Sequence, residues 1–298
     1  MSTGQSWVDL TRQHLTMGRQ EERNTLAAPY TPGLGALVFT YDLGGIVPGT
    51  RLSIGPNTFY VMDVSTVAKT ASVVGGQEGS VDEAAATGTV ARVAPRFTDA
   101  EILRALAAEL ADLSAPDNGL FQMKSATVTF DQGLVGYDLS GVADDLLDVY
   151  EVRAKQPGGT GGWTVVEKFY WRLDRAAPLS EFPSGLSLQM LHAGYNGLDV
   201  RVIYRAGFDY PASLASSLSV TGLPATAYDI PPAGAAMRLV MPMEVKRAAL
   251  ESQGDTRRAA EVQPGASLSA ARALAAWRAQ RIQAESARLV AQWPDRVW

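Results

Sequence analysis

A 298-residue chain with no cysteine and only two histidines, His14 and His192, holds few side chains for covalent or metal chemistry. The missing thiols exclude disulfides, thiolate nucleophiles, iron–sulfur clusters and cysteine-based zinc sites. His14 falls near the apolar face of a helical stretch and His192 follows Leu191 at a strand end. Neither has an acidic partner close in sequence, so both are expected to pack or hydrogen-bond rather than hold a transition metal. Asp138, Asp144, Asp145 and Asp148 gather oxygen ligands of the kind calcium takes. They lack the order of an EF-hand loop and its glycine, which points to a solvated turn or a charge contact between subunits. The Gly158 to Gly162 run has the glycines of a phosphate cradle but no Lys-Ser/Thr after it, so it is expected to form a hairpin tip. Trp163, Glu167, Tyr170 and Trp171 are types that line glycan grooves. At strand spacing Trp163, Val165, Glu167, Phe169 and Trp171 share one face and Tyr170 takes the other, so ordinary sheet packing is the expectation. No G-x-S-x-G, H-E-x-x-H or G-x-x-x-x-G-K-[ST] pattern occurs. The expectation is therefore a chain that is not an enzyme, with no catalytic residue, no cofactor and no metal.

The remaining group with a chemical use is the row of arginines near the end, Arg272, Arg278, Arg281 and Arg288. These could meet DNA phosphates or carboxylates of a protein surface. A net charge of -5 and a pI near 5.2 give the chain no overall attraction to a polyanion, so protein contacts are expected. The charge is unevenly placed. From Pro231 onward there are ten cations and six anions, a net +4, which leaves -9 for everything before. A basic helical end thus follows an acidic, mostly β body.

Composition fits a folded chain, with 46% hydrophobic and 19% charged residues. No run of about 18 apolar residues could span a bilayer, so no membrane partner is expected. The first thirty residues carry Asp9, Glu21 and Glu22 and lack the apolar core of a secretory signal, which predicts synthesis in a cytoplasm.

The elements that must position these residues can be read from periodicity. Ser6 with Asp9 predicts the start of a helix over Trp7 to Met17, with Trp7, Leu10, His14 and Leu15 at helical spacing, as a short arm. Ala28 to Gly33 reads as a Pro/Gly linker. The runs ALVFTYDL, TRLSI, TFYVMDV, TASVV and GTVARVA predict a small sheet or barrel. Thr98-Asp99-Ala100-Glu101 is a capping box opening a helix to about Ser114. Ile102, Leu103, Leu106, Leu110 and Leu113 line one face, and Arg104, Glu109 and Asp112 the other. SATVTF, DLLDVYEVRA, WTVVEKFYWRL, LSLQML and DVRVIYRAGF predict an antiparallel sandwich. Pro231 and Pro232 predict a helix to about Gln253, with Pro242 leaving open a kink or a later start. Gly254 and Asp255 break it, and Ser267 starts a final helix of about 40 Å reaching about Trp293. The fold class expected is α+β: a helical core of the capped helix and a C-terminal helical hairpin, a small N-terminal β module, and an inserted antiparallel β-sandwich. The segments are 1–30, 31–96, 97–116, 117–230 and 231–298.

The stretch TDAEILRALAAELADLSAPDNGLF, followed by β runs and a basic helical end from AAMRLVMPMEVKRAAL to QWPDRVW, resembles head-to-tail connector (neck adaptor) proteins of tailed phages. It looks most like those of actinobacterial siphophages. The segment from Gly75 to Val90 is similar to a hairpin recurrent in phage structural proteins. The resemblance implies a virion protein at the head–tail junction: a homo-oligomeric ring, commonly twelve-fold, below the portal protein. It would contact the portal above and a stopper or tail-completion protein below, with DNA only as passing cargo. By position it also implies portal or subunit contacts for Arg272, Arg278, Arg281, Arg288, Trp293, Arg296, Val297 and Trp298. The competing expectation is a minor tail or tail-tip protein, whose β modules would be the working parts.

Overall fold

The computed structural model describes residues 2–16, 21–134, 136–142, 144–158, 162–191, 195–211, 213–252 and 266–294, with side chains omitted over 242–252 and 266–268. The chain forms two compact units. The first contains Met1–Glu109, Tyr210–Val220 and Ala225–Arg281. The second contains Leu110–Asp209, Thr221–Pro224 and Ile282–Trp298.

In the first unit short runs separated by glycine turns build one six-stranded antiparallel sheet. Its strands are β1 (Arg23–Thr25), β2 (Ala36–Val38), β3 (Arg51–Ile54), β4 (Asn57–Ser65), β5 (Thr70–Val74) and β6 (Val90–Val93), in the order β1-β6-β3-β4-β5-β2. A bridge between Leu26 and Phe39 draws the two edge strands together, so the sheet curls into a half-barrel around Leu37, Leu52, Ile54, Phe59 and Val61. The segment expected to be a linker is part of this barrel. Tyr30 is buried, bridges to Ala85, lies edge-on to Phe59 at 5.0 Å and donates its hydroxyl to Asp82 at 2.8 Å.

Helix α1 (Gly4–Thr16) begins before the expected Ser6 cap, because the Ser6 hydroxyl folds back to the Thr3 carbonyl. Gly4 allows a close approach there, since a Cβ would stand 3.0 Å from the Ser213 carbonyl oxygen. Trp7 is buried and donates its indole N–H to the Tyr228 carbonyl at 2.7 Å. Arg12, also buried, bonds Glu21, Asp99 and the Phe97 carbonyl. Helix α2 (Asp99–Leu113) carries the expected capping box: Glu101 accepts from the Thr98 N–H at 2.7 Å, and Thr98 Oγ1 accepts from the Glu101 N–H at 3.2 Å. Helix α3 (Ile230–Ser252) runs through Pro242 as one helix and packs along α1. Helix α4 spans Ala266–Gln292.

The second unit holds two antiparallel sheets. One is ordered β10-β9-β13-β7, from β7 (Gln122–Thr129), β9 (Leu146–Lys155), β10 (Trp163–Val166) and β13 (Asp199–Ala206). The other is ordered β11-β12-β8, from β8 (Gly136–Asp138), β11 (Trp171–Asp174) and β12 (Ser187–Met190). Val149, Val152 and Val202 of the first share a core with Tyr137, Trp171 and Leu188 of the second.

These findings correct the expected fold class. The chain does not form a helical core carrying a small β module. Its largest sheet lies in that N-terminal region, and helix and strand are about equal in extent. The buried start of α3 is Ile230, Pro231, Pro232, Ala233, Gly234, Ala235 and Ala236, in which Ile230 is the one large aliphatic side chain, and α4 is alanine-rich. Such helices have too little apolar side-chain volume to make a core of their own, and instead approach their neighbours closely. The run WTVVEKFYWRL is also divided: a 3-10 turn at Lys168–Tyr170 sends β10 and β11 into different sheets. The single shared face expected for Trp163 to Trp171 does not exist.

Candidate functional site

The residues with an expected role lie mainly on α4. Its buried or half-buried positions include Ala271, Ala275, Arg278, Ile282, Glu285 and Leu289, at alternating steps of four and three, flanked by half-buried Ala270, Leu274, Arg281 and Ser286. This is the spacing of one helix face turned inward. Arg272, Ala273, Ala276, Trp277, Ala284, Ala287 and Val290 are exposed.

Arg278 and Arg281 turn their heads into the first unit. Arg278 Nε donates to Glu109, and Arg238 of α3 donates to the same carboxylate at 3.0 Å. Glu109 is fully buried, where an unpaired carboxylate would be very costly, so the two guanidiniums act as its counter-ions. Arg281 grips Asp229 through Nε at 2.9 Å and Nη2 at 3.2 Å, and also donates to the Thr226 carbonyl. These two arginines therefore tie α4 to α2 and to the start of α3. Arg272 is exposed.

In the second unit Arg288 donates to the buried Glu285 at 2.8 Å. Just past the end of α4 the Trp293 N–H bonds the Leu289 carbonyl at 2.8 Å. The Trp293 ring stands edge-on to Tyr150 at 5.8 Å, and the Tyr150 hydroxyl donates to the Pro294 carbonyl at 3.2 Å. The Arg205 guanidinium lies 4.6 Å from the Phe121 ring and 5.7 Å from Tyr150, closing a ladder of aromatic and cationic groups. Beside it is a cleft of about 350 Å³ lined by Phe121, Met123, Arg288, Leu289, Gln292 and Trp293. Apolar walls with one guanidinium and the amides of Gln122 and Gln292 suit a partner's apolar side chain next to a hydrogen-bond acceptor. Arg288 and Trp293 are thus the two expected contact residues that the structure brings together. Arg296, Val297 and Trp298 lie outside the described residues.

The remaining candidates are dispersed. His14 is exposed on α1, and His192 and 159–161 lie outside the described residues. Asp145 pairs with Lys124 at 2.6 Å, and Asp209 holds the same ammonium at 2.9 Å. Burial works against the Lys124 charge, but the two carboxylates raise its pKa above the ordinary value. Asp138 instead accepts from Ser184. Trp163 is covered by Arg201 at 4.3 Å and Trp171 is buried, whereas Phe169 is 83% exposed. Among the described residues no group of three or more His, Asp or Glu is placed to hold a metal ion. No described helix is long and apolar enough to cross a membrane.

Periodicity places Glu109 on the polar face of α2, and no local pattern marks Asp229 or Glu285 as partners of the arginines. A signal exists for Glu109, because it falls one turn from Ala105, Leu106 and Leu113, all buried. No protein-family model matches the chain, and a search of curated proteins finds no significant match.

Proposed function

We propose that this chain is a structural subunit of a tailed-phage neck, forming a head-to-tail connector ring beneath the portal protein, which it joins to a stopper or tail-completion protein while DNA passes through. The reading rests on the sequence resemblance, and one structural observation carries it further. In the first unit α4 is held through Arg278 and Arg281, and in the second Ile282, Glu285 and Leu289 are buried, while the other face of the helix, rich in small residues and bearing Trp277 and Val290, is exposed. A helix with an exposed, closely approachable face is a natural contact for identical neighbours, and many such modest contacts repeated by symmetry build a ring. In this role Arg278 and Arg281 hold the helix in place, and Arg272, Arg288 and Trp293 remain at or near the surface offered to partners.

A second reading, as a minor tail or tail-tip protein, draws on a different observation. Phe169 and Tyr170 form an exposed aromatic pair, 5.5 Å apart and edge-to-face, on the turn between β10 and β11. Deletion of the coding sequence separates the two. Loss of a connector leaves DNA-filled heads and finished tails unjoined, whereas loss of a tail-tip protein leaves no finished tails.

A further inference from the structure

A cleft of about 660 Å³ opens beside the three-stranded sheet of the second unit. Its floor is Tyr137, whose hydroxyl is held by the Asp131 backbone, accepting from the N–H and donating to the carbonyl at 2.9 Å each. Phe182 forms a wall directly over Gly136, where a Cβ would stand 2.9 Å from the ring. Exposed Leu134 adds apolar surface at the mouth. The charged lining groups are both acidic, Asp138 and Glu181, and none of the lining residues is cationic. The Ser184 hydroxyl and N–H bond Asp138 and, against the small cost of burial, keep its carboxyl below the ordinary pKa and ionised. Fixed apolar walls ending in two carboxylates select an apolar stem that carries a positive charge at its tip.

We propose that this cleft receives the Arg272 face of α4 from a second copy of the chain, a contact that rests on the connector reading and specifies how its subunits join. Arg272 is exposed, and the neighbouring Ala273 and Ala276, also exposed, let another surface approach the helix closely while the arginine reaches past them. Charge complementarity favours this occupant. Arg272 is a cation on the exposed face of α4, opposite in sign to Asp138 and Glu181, the two acids that line the cleft. The contact joins two different patches, which is the head-to-tail geometry that closes into rings. A cleft of this size supplies one anchor within an interface of about 800 Å² per partner.

The cysteine-free chain permits a direct test. The double variant R272C/E181C, treated with a short bis-maleimide cross-linker as purified protein and within particles, is expected to give a ladder of dimers, trimers and higher species. Each single variant gives dimers at most. In sedimentation equilibrium R272E and E181R each weaken self-association about tenfold, and the two combined restore it. Absence of the ladder, unchanged association in the single variants, or a cross-link from E181C to a different particle protein overturns the proposal. A neck location without the ladder overturns this contact alone and spares the connector reading. The ladder with the protein at the tail tip keeps the contact and overturns the connector.

Discussion

The buried carboxylate of Glu109 in α2 is neutralised by Arg278, 169 positions further along the chain. Arg238 completes the group from α3, so one acid fastens three helices within the first unit. Glu109→Gln keeps the shape and removes the buried charge that the two guanidiniums face. Chemical denaturation should show a loss of about 3 kcal/mol, as for other broken buried pairs. Arg272→Ala, on the exposed side of the same helix, should stay within about 0.5 kcal/mol of the parent. Equal effects from the two variants would contradict the assignment of Arg278 to the fold and Arg272 to the surface.

Gly234 lets α3 approach that carboxylate: a Cβ there would stand 2.1 Å from the Glu109 carboxyl carbon. Glycine to alanine inside an exposed helix gains about 1 kcal/mol. Here Gly234→Ala is expected to lose about 2 kcal/mol, because the acid must move away from its arginines. The sign of the change in melting temperature decides the matter.

Trp293→Ala removes the edge-on contact with Tyr150 at the end of α4. The ring is half-buried, so the cost is about 1–2 kcal/mol, below that of a core tryptophan. Hydrogen exchange should quicken over the last turn of α4 and leave α2 unchanged.

The acid limb of stability has one identifiable contributor in the half-barrel. Burial alone would raise the Glu78 carboxyl, but hydrogen bonds from the Tyr60 hydroxyl at 2.7 Å and Arg51 at 3.1 Å outweigh it and hold the pKa below its ordinary value. A carboxyl lowered in the folded state adds stability that is complete above its unfolded pKa and is lost as pH falls through the folded one. Melting temperatures measured from pH 7 downward should therefore fall less steeply in Glu78→Gln than in the parent below about pH 4.5.

Local patterns in the sequence predict local structure well and long-range structure poorly. The Thr98–Glu101 box and the leucine face of α2 are legible because both partners lie within a turn or two of each other. The division of WTVVEKFYWRL is not, since the turn at Lys168–Tyr170 is a lysine and two strand-forming aromatics with no glycine or proline to mark it. Strand β1 is three residues, Arg-Asn-Thr, too short and polar to show alternation, and it is fixed by pairing with β6 more than sixty positions away. At the candidate site the types were visible but the partners were not. Arg278, Arg281 and Arg288 read as surface cations, yet Glu109 and Asp229, distant in sequence, claim the first two for the fold. The burial of Arg12 with Asp99 is hidden for the same reason, with 87 positions between them.

The central claim is a position in the particle, and locating the protein tests it most directly. An epitope inserted at the β4–β5 turn beside Val67, which is 96% exposed, can be labelled with antibody and imaged on intact particles. The account predicts label at the junction of head and tail. Label at the tail tip, or on the capsid surface alone, would contradict it.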